Sequence, residues 1–176
     1  MPRPALFFIA IVALGVAVTT GCGYTREGRG ANLDTGIRSV AIPVFRNDTF
    51  EAGLETIVTD ALRREFLLHN FVKIAPAEKA DAIAVGVIRK FNTKPISFSE
   101  TDFATEYRAS IRMSLKIVAP DGHVLWADER IAEVAEYPAN EDVFASEANK
   151  RAAIRSIAEK IARDTHARIF DGFPAL

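Results

Sequence analysis

The sequence has little of what an enzyme or a disulfide-stabilised protein needs. It contains one cysteine, Cys22, so no disulfide can form within the chain. Its three histidines, at positions 69, 123 and 166, have no metal-ligand spacing. The glycines form no phosphate-binding loop that opens a helix, and no serine has the setting of a catalytic nucleophile. We therefore expect a protein that is not an enzyme and that uses no metal or cofactor.

Neither charge sign dominates, and no apolar run is long. The chain has 22 basic and 23 acidic residues, and this balance excludes general nucleic-acid binding, which needs a basic excess. The longest apolar run, Ala5 to Val18, is shorter than the roughly 20 residues that a transmembrane helix needs. The run is the length of the hydrophobic part of an export signal, which is removed from the mature protein.

The residues on either side of the apolar run make Cys22 the first candidate functional residue. Arg3 and the amino terminus precede the run, and the small residues Thr19, Thr20 and Gly21 separate it from Cys22. This arrangement resembles the lipobox of bacterial lipoproteins, although Thr19 stands where that motif usually has Leu. The resemblance implies a lipoprotein signal peptide over residues 1–21 and a mature chain that begins at Cys22, acylated with chains such as palmitate. The alternative is a plain secretory signal in which Cys22 is incidental.

A membrane anchor and a short tether are expected to precede the domain. Two or more acyl chains anchor a protein firmly to a membrane. Residues 22–36 are glycine-rich and polar after Cys22, and they predict a tether that extends to at most roughly 50 Å. The residue after Cys22 is Gly23, not the Asp that holds lipoproteins of the familiar sorting system at the inner membrane. That resemblance favours the outer membrane, with the domain on its periplasmic side.

Hydrophobic periodicity predicts one α+β domain over residues 37–176. Patterns of period two indicate strands, and apolar stripes of period 3.6 indicate two helices, the first starting at Asp48 and the second capped by Asn140. We predict a two-layer sandwich in which the two helices pack on one face of a four- or five-stranded mixed sheet with a long β-hairpin. The predicted strands cover residues 37–45, 71–74, 81–91, 105–118 and 124–135, the helices end at His69 and Phe170, and residues 92–102 form a polar loop.

The turn Pro120-Asp121-Gly122 sets the predicted register of the hairpin. Proline fixes its own φ, and glycine takes the left-handed position of a three-residue loop, so Ala119 pairs with His123. An unbroken register then places Lys116 opposite Trp126 and Arg112 opposite Arg130. These pairs lie on the side of the sheet away from the apolar stripe.

Several segments together resemble the LptE family of lipopolysaccharide-assembly lipoproteins. They are the opening Cys22-Gly23-Tyr24, the sequence IRSVAIPVFRNDTFEAGLE from Ile37 to Glu55, and ALRREF from Ala61 to Phe66. The similarity continues through the hairpin with its Pro120-Asp121-Gly122 turn to the long final helix. It implies a subunit of the lipopolysaccharide transport machinery that sits in the lumen of a large outer-membrane β-barrel, LptD. There it would help the barrel fold and help lipopolysaccharide reach the outer leaflet.

Two other functions are compatible with a lipid-anchored domain. Similar strand-to-helix segments occur in lipoproteins that activate peptidoglycan synthases, and a structural role in another assembly is also open. A regulator that reaches across the periplasm needs a long disordered linker after Cys22, whereas the predicted tether ends at Gly36. The short tether keeps the domain near its membrane and favours the lipopolysaccharide-assembly role.

Two groups of residues are candidates for contacts with a barrel and with lipopolysaccharide. Three aromatic residues near the predicted loop are candidates for the partner interface, although loop aromatics can also pack locally: Phe98, Phe103 and Tyr107. Four cations on the outer face of the hairpin are candidates for the phosphates of lipid A: Arg108, Arg112, Lys116 and Arg130. Two opposed arginines repel, a cost that an anion between them removes. The alternative is a solvated sheet face on which Asp128 and Glu106 balance the charge.

Overall fold

Six strands and two α-helices make up the part of the chain that the structure describes. The structure is a computed structural model and describes residues 36–170, so the predicted signal peptide, Cys22 and the tether before Gly36 lie outside the described residues. A single 3₁₀ turn covers Ala77–Lys79. The elements in chain order are β1 (Ser39–Ala41), β2 (Arg46–Asn47), α1 (Leu54–His69), β3 (Lys73–Ile74), β4 (Ala82–Phe98), β5 (Ala104–Val118), β6 (Val124–Pro138) and α2 (Val143–Phe170).

The strands form one mixed sheet, and the helices cover one face of it. The order is β3-β1-β4-β5-β6, and β2 also pairs with β4. The pairs β1–β3, β1–β4 and β2–β4 are parallel, whereas β4, β5 and β6 form an antiparallel meander. The α+β two-layer prediction is confirmed. The predicted strand over residues 37–45 is instead the short β1 followed, after Pro43, by β2, because proline has no N–H for a ladder hydrogen bond.

Helix α1 buries the stripe that the sequence predicts but begins later than predicted. Its buried residues include Leu54, Val58, Leu62 and Phe66. The helix starts after Gly53, at φ 85°, rather than at Asp48, so the predicted start is wrong. The reason is a turn before it, in which the side-chain amide of Asn47 donates to the backbone oxygen of Glu51 (2.8 Å) and to Glu55 Oε2 (2.8 Å). The helix ends as predicted at Asn70, whose φ is 52°.

Strand β4 is longer than the sequence predicts. It continues to Phe98, and residues 92–98 pair with β5 instead of forming the predicted polar loop. The loop is therefore short, spanning 99–103. Within this stretch Lys94, Pro95 and Ile96 are consecutive and all exposed, so both faces of the strand meet water there.

The β5–β6 hairpin has the predicted turn but a different register. The N–H of Ala119 donates to the His123 oxygen (2.8 Å), and Gly122 has φ 90°, as predicted. Beyond the turn, two register shifts each place one extra residue in β6, between the pairs of Ile117 and Val118 and between those of Met113 and Leu115. The predicted pairs are therefore wrong: Lys116 lies opposite Ala127, and Arg112 lies opposite Ala132.

Helix α2 runs antiparallel to β6 and is attached to it near both ends. Near its start, the Asn149 amide donates to the Pro138 oxygen (3.0 Å). Near its end, Arg168 Nη1 lies 2.6 Å from Oδ2 of the buried Asp128. The carboxylate that caps the first turn is Asp142, which accepts from the N–H of Phe144 (2.8 Å), and not the predicted Asn140.

The register also defines two ends of the molecule. Strand β1 and the 120–122 turn lie beside the start of β4, since Val40 pairs with Ala82 and Ile83 pairs with Val118. We call this the N-terminal end. The 99–103 loop, the end of β6 and the start of α2 lie at the opposite end, which we call the far end. The 17 residues of β4 separate the two ends by roughly 50 Å.

Candidate functional site

A basic groove runs along the outer face of β4 and β5. Directly opposite residues share a face, and the register places Lys90 opposite Arg112 and Lys94 opposite Arg108. Arg112 points outward because its neighbours in β5, Ile111 and Met113, are buried in the core. The groove has a volume of about 330 Å³, and the polar residues that line it are Lys90, Asn92, Lys94, Arg108, Ser110 and Arg112.

Most of the positive charge in the basic groove is not neutralised by neighbouring carboxylates. Arg108 is the exception, because its Nη2 lies 2.6 Å and its Nε 3.0 Å from Glu136 Oε1. Within residues 36–170, no carboxylate lies at ion-pair distance from Lys90, Lys94 or Arg112. Like charges directly opposite each other, such as Lys90 and Arg112, destabilise an antiparallel ladder unless an anion lies between them. The groove can therefore bind phosphate or carboxylate groups, with Arg112 suited to bidentate contact.

The predicted cation row is divided by the two β-bulges. Arg108 and Arg112 lie together in the basic groove. Lys116 lies closer to the turn, where its Nζ is 2.8 Å from Glu129 Oε1. Arg130 lies on β6 within the second register shift, and its N–H donates to Asp128 Oδ1 (2.9 Å). The structure thus brings two of the four predicted residues into one site, and their role in binding lipopolysaccharide stays a prediction.

Prediction from the sequence did not identify Lys90 and Lys94 as site residues. It placed Lys94 in a loop, and it did not pair the strand that contains Lys90 with the strand that contains Arg112. A signal for them exists in the alternation of polar and less polar residues beyond Lys90. Phe91 packs against the core between the two outward-facing positions 90 and 92. Continuing this period-two pattern to Lys94 would have extended the strand and placed both lysines on the face of Arg108.

A second cleft lies at the far end, between the 99–103 loop and the start of α2. Of the predicted interface residues, Phe98 and Phe103 are 57% and 74% exposed. Tyr107 is partly buried and stacks on Tyr137, with ring centroids 5.6 Å apart and planes 16° apart. Burial raises the pKa of the Tyr137 hydroxyl, which therefore stays neutral. We call this space, of about 820 Å³, the far-end cleft, and its lining includes Ser99, Thr101, Phe103, Tyr107, Tyr137, Glu141, Ser146 and Glu147.

Neither site has the features of a metal centre or a membrane span. In the described part of the chain, no group of three or more His, Cys, Asp or Glu side chains could hold a metal ion. Among the same residues, neither helix is both long enough and apolar enough to cross a membrane. The candidate acylation site, Cys22, lies outside the described residues.

Solved structures of other bacterial proteins are similar to this chain, including these three. A crystal structure of a Caulobacter crescentus CB15 protein has a TM-score of 0.51 at 10% identity, covering 72% of this chain and 87% of that one. A solution structure of lipoprotein B from Nitrosomonas europaea has a TM-score of 0.50 at 17% identity, covering 82% and 91%. The rare lipoprotein B of Shewanella oneidensis has a TM-score of 0.47 at 16% identity, covering 75% and 90%. The first two show a shared fold.

The sequence itself identifies the family. A comparison with curated proteins finds no match. The family described as LptE, Lipopolysaccharide-assembly, matches residues 37–169, which include every element of the sheet and nearly all of α2. The match spans more than half of the chain and agrees with the resemblance of the Ile37–Glu55 segment. The chain belongs to the LptE family of lipopolysaccharide-assembly lipoproteins.

Proposed function

We propose that this protein is a lipid-anchored outer-membrane subunit of the lipopolysaccharide transport machinery, and that it contacts lipopolysaccharide through the basic groove. The family match carries the first part of the proposal. Cys22, acylated and followed by Gly23, would attach the domain to the periplasmic side of the outer membrane. A large LptD-type barrel is the partner that we expect, and the domain would support that barrel within or below its lumen.

The opposed cations of the basic groove support lipopolysaccharide contact. Lys90 faces Arg112 with no carboxylate of the described residues paired to either, so a phosphate between these two cations would relieve a repulsion already present in the sheet. Apolar side chains border the cations on the same face, including Ile96, which is 37% exposed, and Val134, which is 47% exposed. Lipid A combines phosphates with acyl chains, and this face offers contacts to both.

Replacing two of the opposed cations tests this part of the proposal. The double variant Lys90→Ser/Arg112→Ser of the full chain is compared with the wild type for binding to immobilised lipopolysaccharide. Since hydrogen bonds to charged groups contribute about 1.5–3 kcal/mol each, the affinity should fall by about tenfold or more. The melting temperature should stay the same or rise, because a repulsive pair is removed.

A matched variant controls for the loss of positive charge. Arg151 and Arg155 are exposed on α2, so Arg151→Ser/Arg155→Ser removes the same charge from the opposite layer. We expect this control to bind lipopolysaccharide almost as the wild type does. Equal binding by the groove variant, in a protein that is still folded, would refute the assignment of the groove.

A further inference from the structure

We propose that the far-end cleft docks a protein segment in which Lys or Arg side chains flank apolar ones. The first observation is the concentration of exposed apolar side chains at this end of the molecule. Phe98, Phe103, Val143 and Phe144 are 57%, 74%, 72% and 86% exposed. Soluble surfaces rarely expose several large apolar side chains together, and such groups mark sites of association. The far-end cleft lies among them, with Phe103 in its wall.

The charge of the far end selects the kind of partner. Residues 95–107 and 137–149 contain no Lys or Arg. Within residues 36–170, one of the six carboxylates in these two segments, Glu147, forms an ion pair, with Lys150 Nζ at 3.1 Å. The six acidic residues are Glu100, Asp102, Glu106, Glu141, Asp142 and Glu147.

This negative field makes the far end complementary to a cationic surface and repulsive to an anionic one. The phosphates of lipopolysaccharide or of acidic phospholipids would be repelled, so the exposed aromatic side chains here are not a site for those lipids. A protein segment with basic side chains satisfies the carboxylates while its apolar side chains cover the phenylalanines. The stacked rings of Tyr107 and Tyr137, which both line the cleft, add aromatic surface for a guanidinium or ammonium group.

The two walls of the cleft are held in place before any partner binds. In the loop, the N–H of Ser99 donates to the Phe103 oxygen (2.8 Å), and Asp102 has φ 61°. On the other side, the N–H of Asn140 donates to Ser146 Oγ (2.7 Å), which in turn donates to the Asn140 oxygen (2.9 Å). A cleft with fixed walls loses little conformational freedom when it is occupied, which favours docking.

Photocrosslinking from the far end, at one position in the cleft wall and one beside it, tests the chemistry of the partner directly. A photoreactive amino acid replaces Phe103 or Phe144 in the full chain, expressed in the bacterial envelope, and the crosslinked peptide is identified by mass spectrometry. The matched control is Val85, which is 45% exposed on the outer face near the N-terminal end. We expect a protein peptide with net positive charge and apolar residues from both far-end positions, in roughly tenfold greater yield than from Val85. A neutral or acidic peptide, a lipid adduct, or no crosslink would overturn the proposal.

Charge reversal tests this inference separately from the proposed function. The inference rests on the proposed function only for the expected identity of the partner. Glu100→Lys/Glu141→Lys should reduce the crosslinking yield at Phe103 by about tenfold, because like charges then meet across the interface. Glu78→Lys/Glu159→Lys, on exposed sites elsewhere, is the control and should leave the yield unchanged. Neither double variant alters the basic groove, so lipopolysaccharide binding should persist in both. An undiminished crosslinking yield from Glu100→Lys/Glu141→Lys would contradict this inference alone. Unchanged lipopolysaccharide binding by Lys90→Ser/Arg112→Ser would contradict the proposed function alone.

Discussion

Gly86 lies where the core leaves no room for a side chain. It lies in β4 on the face that packs against the helices, and a Cβ built there would be 2.5 Å from Cγ of Phe45, which is buried. Gly86→Ala should therefore lower the free energy of unfolding by about 1–3 kcal/mol, measured by urea denaturation.

Two further variants show whether crowding is the cause. Gly36→Ala is the matched control, since a Cβ at that position meets no atom within 4 Å, and its stability should stay near that of the wild type. Phe45→Leu in the Gly86→Ala background should recover part of the loss. If Gly86→Ala is as stable as Gly36→Ala, the close contact with Phe45 does not constrain the core.

Cys22 is the residue on which the proposed membrane attachment depends. Cys22→Ser should abolish acylation and release the protein from membranes, because serine has no thiol to which the lipid can be attached. Intact-mass measurement of the purified protein and membrane fractionation report the outcome, with Gly28→Ala in the tether as a control that keeps both properties. Recovery of Cys22→Ser still acylated and membrane-bound would refute the assignment.

Single residues were predictable from sequence where local backbone geometry decides the outcome. Asn70 and Gly122 adopt the left-handed conformations that their positions predict, at φ 52° and 90°. Periodicity does not decide burial at the ends of an element: Val143, the apolar first residue of α2, is 72% exposed. Asp128 gave no sequence signal of burial, since its partner Arg168 is 40 positions away.

At the scale of elements, the ends of α1 and α2 meet in an aromatic cluster that makes stability depend on pH. His166 in α2 is 4% exposed and stacks on His69 of α1, with ring centroids 4.5 Å apart. Phe66 and Phe170 contact the same imidazole, and none of the described residues forms a hydrogen bond with its Nε2. Burial, helped by the charge of His69 and opposed by Glu65, lowers the pKa of His166 to about 4.

The direction of the pH effect is set by this lowered pKa. The unfolded chain protonates His166 near its ordinary pKa of 6.5, whereas the folded chain does so only near 4. The unfolded state therefore binds more protons between these values, and stability is lost as the pH falls through this range. The contribution of His166 should be a loss of about 2 kcal/mol between pH 7.5 and pH 5.

A variant isolates His166 from other groups that titrate in this range. The free energy of unfolding is measured at pH 7.5 and pH 5 for the wild type and for His166→Leu, which keeps the site apolar and removes the titration. We expect the wild type to lose about 2 kcal/mol more than the variant over this range. Equal losses in the two proteins would show that His166 is not held neutral by the fold.

The register of the hairpin shows how far element-level prediction from sequence extends. The turn at 120–122 was predictable from proline and glycine, but the two bulges in β6 moved every later pair. The sequence did contain one sign of a bulge, because the large apolar residues Trp126 and Ile131 are an odd number of positions apart in one strand. The structure buries both of them. Such a pair requires one inserted residue in a strand whose side chains alternate. The residue at which β4 ends could not be predicted from the alternation of polar and apolar residues, because consecutive residues near that end are exposed on both faces of the sheet.

At the scale of the whole molecule, the fold places a basic surface and an acidic surface at different positions along the sheet, although their residues alternate along the sequence. The basic groove lies midway along the outer face, and the acidic far-end cleft lies beyond it. The α+β architecture was predictable because periodicity specifies each element. The grouping of Lys90 with Arg112 was not, because these residues belong to different strands and meet only through the observed register. An anionic glycolipid on the face and a cationic protein segment at the tip can then be held together without competition.

The proposed function depends above all on whether this protein works as one subunit of a lipopolysaccharide-assembly complex. Affinity purification of the tagged full chain from solubilised outer membrane tests this most directly, with Cys22→Ser as the control that should not enter that membrane. We expect a large β-barrel protein to co-purify with the wild type in a stable, near-stoichiometric complex. Recovery of the wild type from the outer membrane without a barrel, or in complex with a peptidoglycan synthase, would contradict the proposed function.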